Sequence, residues 1–142
     1  MRNDFKSQLI TKNSEASAQE IEEILNQFVA MPSQNPLHPS PHLTGGSIDL
    51  TLFNIASGDA LDMGTAFDEM DERSWSHAFE NMTHKNATPH DLIIRNNRRL
   101  LINGMKKVGF SNLPSEWWHF DYGNQLWGYY HHCNAIYGVA SL

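Results

Sequence analysis

The chain has 142 residues, 40% of them apolar and 18% charged, which suits one globular domain with a single core and excludes a disordered segment. Its formal net charge of −6, with no block of like charges and no Lys/Arg stripe, argues against nucleic acid as a main partner. One cysteine, Cys133, excludes an internal disulfide and a Cys-rich zinc site, and no apolar run approaches the roughly 20 residues of a membrane helix.

The N-terminal residues Met1 to Gln8 lack the apolar centre of a signal peptide, so the chain reads as soluble and cytoplasmic, or periplasmic if a leader precedes it. Ser14 to Ala30 is predicted as an amphipathic helix, with Ile21, Ile24, Leu25, Phe28 and Val29 at helical spacing and Ser17 and Glu20 as a capping box. From Met31 to Gly46 the prolines Pro32, Pro36, Pro39 and Pro41 forbid a continuous helix, and Gly45-Gly46 marks a turn. His38 and His42 therefore cannot act as a helical i, i+4 metal pair, and His38 is set aside.

Ser47 to Asn54 alternates as a strand, with Ile48, Leu50 and Leu52 on one face and Asp49, Thr51 and Phe53 on the other. An aspartate inside a strand is disfavoured, and the simplest partner for Asp49 is a cation. Met63 to Asp68 reads as a loop, and Asp71 to Phe79 as a short, loosely patterned helix. The sequons at Asn81 and Asn86 read as chance matches. Thr88-Pro89-His90-Asp91 is a strong helix start, and that helix should stop at Gly109. Its arginines read as a solvated face rather than a phosphate site. Two aromatic strands, Trp117 to Tyr122 and Gln125 to Tyr130, are then expected as a hairpin turning at Gly123-Asn124. In the tail from His131 to Leu142, His131 and His132 are adjacent, and as strand residues they would point to opposite faces and could not chelate together.

His42, Asp49 and His119 supply two imidazoles and a carboxylate, which meets the ligand count of a catalytic zinc with one position left for water. A single anionic ligand keeps such a site net positive, and Glu116 is placed to move a proton. On spacing alone, a buried histidine in each segment is an equal reading. Glu116 and His119, three apart, lie on opposite faces of a regular strand. They share a site only if Glu116 precedes the strand or a bulge intervenes, and Pro114-Ser115 favours the first.

Ser40-x-His42-x-x-Gly45-x-Ser47-Ile48-Asp49, followed by Asp62 to Asp68, Asn97 to Leu101 and Glu116-Trp117-Trp118-His119, resembles the zinc D-alanyl-D-alanine dipeptidases, the vancomycin-resistance dipeptidase family. The resemblance runs from about Ser40 to Tyr130. It implies an α+β fold in which an antiparallel sheet carries the zinc site and helices pack against it. It also implies one Zn2+ per chain on His42, Asp49 and His119, with Glu116 as catalytic acid/base. Ser40 would hold the substrate carboxylate and Asp68 the free ammonium of the dipeptide D-Ala-D-Ala. As a loop acid, Asp68 could instead cap the helix that follows. The family's aromatic-Arg-Pro segment, whose arginine stabilises the oxyanion, has no match here, so residues 1–142 are expected to be one zinc peptidase domain shortened at its N-terminus. A related D,D-carboxypeptidase or peptidoglycan endopeptidase, or a zinc-binding domain with little activity, are the competing expectations.

Overall fold

Helix starts obey their local capping chemistry in the computed structural model, which describes residues 2–28, 33, 35, 38–80 and 87–140. The chain divides into two units, residues 1–32 and 33–142. In the first, helices α1 (Arg2–Lys12) and α2 (Ala18–Phe28) pack through Leu9, Ile21 and Leu25. Ser17 and Glu20 form the expected capping box at the start of α2, since each backbone N–H donates to the other residue's side chain. Val29 and Ala30, the expected end of this helix, lie outside the described residues. So do Pro32 and Pro36 of the irregular stretch and the sequons' Asn81 and Asn86. Helix α1 was not expected, because its sequence carries no apolar stripe and Leu9 alone is buried among its described side chains.

The second unit holds a three-stranded antiparallel sheet in the order β1 (Ser47–Asp49), β3 (His119–Asp121), β2 (Ser111–Asn112). Its core gathers Met63, Leu101, Trp117, Trp118 and Phe120. Ahead of β1, a single 3-10 turn at Pro41–Thr44 ends on Gly45, whose φ of 68° is the left-handed conformation that glycine adopts without strain. Gly46 packs so tightly on the Tyr122 carbonyl that a Cβ there would lie 2.5 Å from its oxygen. Helix α3 (Pro89–Lys107) is closed by a Thr88–Asp91 capping box, as expected.

Three of the predicted elements are corrected. The second arm of the hairpin is a helix, α4 (Gln125–His131), and β3 is only three residues long. The Asn124 side chain accepts the Trp127 N–H at 3.0 Å and so caps a helix, and the cap outweighs the strand preference of the aromatic residues. The segment Asp71 to Phe79 contributes one 3-10 turn, Glu72–Ser74, capped by Asp71. β1 ends at Asp49, although the Leu50 N–H still reaches the Trp118 carbonyl at 3.0 Å.

Arg98 is not on a solvated face. It is 1% exposed, and its guanidinium donates to the carbonyls of Met63 at 2.8 Å and of Trp75 and Arg73 at 2.7 Å each, beneath the Phe79 ring. The cation thus ties the 63–75 loop to α3. Arg98→Met would leave three carbonyls without their donor, and each buried unsatisfied group costs about 1–3 kcal/mol. We expect a loss of at least about 3 kcal/mol in urea unfolding, set against little change for Arg99→Met on the half-exposed pair with Glu80.

Candidate metal centre

Strand alternation and register build this centre. Residues two apart on a strand share a face, so His119 and Asp121 point one way while Phe120 enters the core. Antiparallel pairing sets Asp49 opposite His119 and Ser47 opposite Asp121. One face of the β1–β3 ladder therefore carries four polar side chains in a square. His42 reaches the same point from the Pro41–Thr44 turn, its ring edge-on to His119 with centroids 4.7 Å apart.

His42, Asp49 and His119 converge with their ligand atoms all within 4.8 Å of one another. His42 Nε2 lies 3.1 Å from His119 Nδ1 and 3.3 Å from Asp49 Oδ2, while His119 Nδ1 lies 2.9 Å from Asp49 Oδ1. Tetrahedral zinc with bonds of about 2.0–2.1 Å separates its ligand atoms by about 3.3 Å. The three donors thus stand close to the spacing the ion requires. Asp49 Oδ1 is buried and meets no aligned hydrogen-bond donor among the described residues. Two ring nitrogens and a carboxylate facing one another across about 3 Å need positive charge among them, which a proton on a ring or a bound cation supplies. By donor type and by this orphaned oxygen, the residues fit zinc.

Glu116 occupies the turn before β3, where its N–H donates to Leu113 and its carbonyl accepts from His119. That placement resolves the i, i+3 difficulty without a bulge. Its Oε2 lies 3.8 Å from His119 Nδ1. Burial, chiefly, pushes its carboxyl up to about 7, with Asp49 and Asp68 adding to the rise and His119 opposing it. Asp68 is exposed and sits at φ 61°, an uncommon conformation for a residue with a Cβ. Partial burial and the charge of Asp49 raise its carboxyl, and His42 pulls it the other way. Asp71, not Asp68, caps the turn that follows. Ser40 precedes the His42 turn, and its hydroxyl accepts the Ser33 N–H at 3.1 Å. His38, exposed, is outside the cluster, as are His131, which ends α4, and His132, which caps it.

Sequence reasoning passed over Asp121, whose Oδ1 lies 3.1 Å from His119 Nε2 and accepts from Ser47 and Asn124 at 2.6 Å each. Burial raises its carboxyl, but His119, Ser47 and Asn124 outweigh that and hold it below its usual value. The spacing His-x-Asp on a strand was the available signal. Burial likewise opposes the His119 charge, yet Asp121 and Asp49 together push its pKa up to about 10.

These shifts set how the metal-free protein responds to pH. Both groups are more basic folded than unfolded, Glu116 at about 7 against 4.5 and His119 at about 10 against 6.5. Such a group contributes stability fully below its unfolded value and loses it as pH rises through its folded value. Chelator-treated protein should therefore lose stability progressively between pH 4.5 and 10, read as a falling urea midpoint. Zinc, supplying positive charge in place of these protons, should flatten the profile.

A family profile described as D-ala-D-ala dipeptidase matches residues 8–137. The chain is similar to a D-alanyl-D-alanine dipeptidase of Synechocystis, 37% identical over 105 residues, which are 72% of this chain and 42% of that protein. It is also similar to the Escherichia coli protein of that description, 45% identical over 58% of this chain and 37% of the other, and to the Enterococcus faecium one, 40% identical over 57% and 36%. The chain spans well under half the length of these curated relatives.

Proposed function

Because the chain belongs to the D-Ala-D-Ala dipeptidase family, a family of zinc metallopeptidases, we propose that it hydrolyses the free dipeptide D-Ala-D-Ala with one zinc ion held by His42, Asp49 and His119. The observation that carries the proposal is the convergence of these three donors with a half-buried carboxylate, Glu116, 3.8 Å from the His119 nitrogen. A zinc ion held there supplies Lewis acidity, which lowers the pKa of water and polarises the scissile carbonyl.

Glu116 accepts a proton from the attacking water and returns it to the leaving amine as the peptide bond breaks. A carboxyl group raised toward neutrality suits both transfers, because it can gain and lose the proton near working pH. Asp68, which feels the charge of Asp49 and whose own charge raises the Glu116 carboxyl, faces the substrate's free ammonium. Ser40, two residues before His42, donates its hydroxyl to the substrate carboxylate. With both ends of a dipeptide gripped, a substrate whose amine is already acylated loses the Asp68 pairing and leaves that carboxylate without a counter-charge.

No described helix is long and apolar enough to cross a membrane. The test is D-alanine release by the zinc-loaded chain from D-Ala-D-Ala and from its N-acetyl derivative. Free dipeptide should be preferred on the order of a hundredfold, and Asp68→Asn should remove most of that preference. Equal or better turnover of the acylated substrate would instead identify a carboxypeptidase or endopeptidase. Failure on both would refute the hydrolytic reading.

A further inference from the structure

We propose that Asp121 is the positioning residue of this centre: it holds His119 as the Nε2–H tautomer and so directs the Nδ1 lone pair to the metal. The inference rests on the zinc reading above. His119 has two nitrogens in different company. Nδ1 faces His42 and Asp49, whereas Nε2 faces Asp121 Oδ1 at 3.1 Å. A neutral imidazole carries one proton, and only the nitrogen without it can bind a metal. A buried carboxylate against Nε2 decides which nitrogen that is.

Asp121 is itself built into place. It is 0% exposed, and Ser47 Oγ and Asn124 Nδ2 both donate to the oxygen that meets the histidine. Asn124 also donates to Ser47 at 2.9 Å, which closes a ring of three side chains around one oxygen. Oδ2, by contrast, is buried and meets no donor among the described residues. A carboxylate that needed only to be neutralised would spread its donors over both oxygens. Here every donor gathers on Oδ1, the oxygen that faces the ring. Ser47 stands opposite Asp121 in the ladder as Asp49 stands opposite His119, so the supporting pair is built by the same register as the ligand pair.

The experiment measures zinc affinity by chelator competition for the wild type, Asp121→Asn and Ser47→Ala, with long-range 1H–15N NMR of the histidine rings. In the zinc-loaded wild type, His119 should be protonated at Nε2 and metal-bound at Nδ1. Asp121→Asn should weaken zinc binding about 10–100-fold while far-UV circular dichroism is unchanged. Ser47→Ala should weaken it less, in the same direction. Unchanged affinity in Asp121→Asn, or a His119 protonated at Nδ1, would overturn the proposal. If Asp121→Asn does not fold, the wild-type spectrum and Ser47→Ala decide the matter. A wild type that binds no zinc would refute the metal centre itself, a result distinct from tight binding that ignores Asp121.

Discussion

Glu116→Gln is expected to keep one zinc per chain and to lose about a thousandfold in kcat on D-Ala-D-Ala, within the range that general acid–base groups contribute. The substitution preserves the shape of a side chain set in the turn before β3, so the fold and the three metal donors should be undisturbed. What it removes is the capacity to take up a proton beside His119. Metal analysis and D-alanine release on the same preparation separate the two effects. In the wild type, kcat/KM should fall on the acid side as the Glu116 carboxylate becomes protonated. The metal-free value of about 7 marks the upper bound for that limb, because a bound cation lowers it. Retention of activity in Glu116→Gln would move the proton transfer to another group.

His119→Ala should abolish both zinc binding and hydrolysis, and should also weaken the metal-free fold by about 3–5 kcal/mol near neutral pH. The imidazole stands between two carboxylates, Asp49 on one nitrogen and Asp121 on the other, and is 3% exposed. Without it, Asp121 keeps its charge in a buried position with two neutral donors and no cation. His42→Ala is the informative contrast. The His42 side chain is 53% exposed, so its removal should cost zinc affinity but well under about 1 kcal/mol of apoprotein stability. Urea unfolding of the two chelated variants at one pH makes the comparison. Equal destabilisation would mean that His119 is not the electrostatic keystone of the ladder.

Much of this centre was legible in the residues. An aspartate in a strand pattern asks for a cation, and Asp49 sits between two imidazole nitrogens. The need for Glu116 to lie outside β3 followed from strand alternation, and the turn after Pro114 supplies it. Less legible was whatever depends on partners distant in sequence. Arg98 reads as a surface cation on α3 until the 63–75 loop brings three carbonyls to it. Asp121 has no evident task until the register sets Ser47 beside it. Asn124 suits a hairpin and a helix start equally in sequence, because Asn favours tight turns and helix caps alike, and the aromatic residues after it favour a strand. Which role it takes is settled by the Trp127 N–H three residues on.

The ladder between β1 and β3 also governs which insertions and deletions this scaffold can absorb. Side chains alternate with period two, so removing Ile48 would set Ser47 and Asp49 on opposite faces, and no register could keep both beside Asp121 and His119. A change of the same size in the exposed loop around Gly58 would alter neither face. Lengthening a flexible loop costs free energy only logarithmically, whereas a frame error in the ladder parts the proposed metal ligand Asp49 from His119 or Ser47 from Asp121. Diversity of length among chains of this architecture should therefore collect between the strands, with β1 and β3 conserved in phase even where their apolar residues drift.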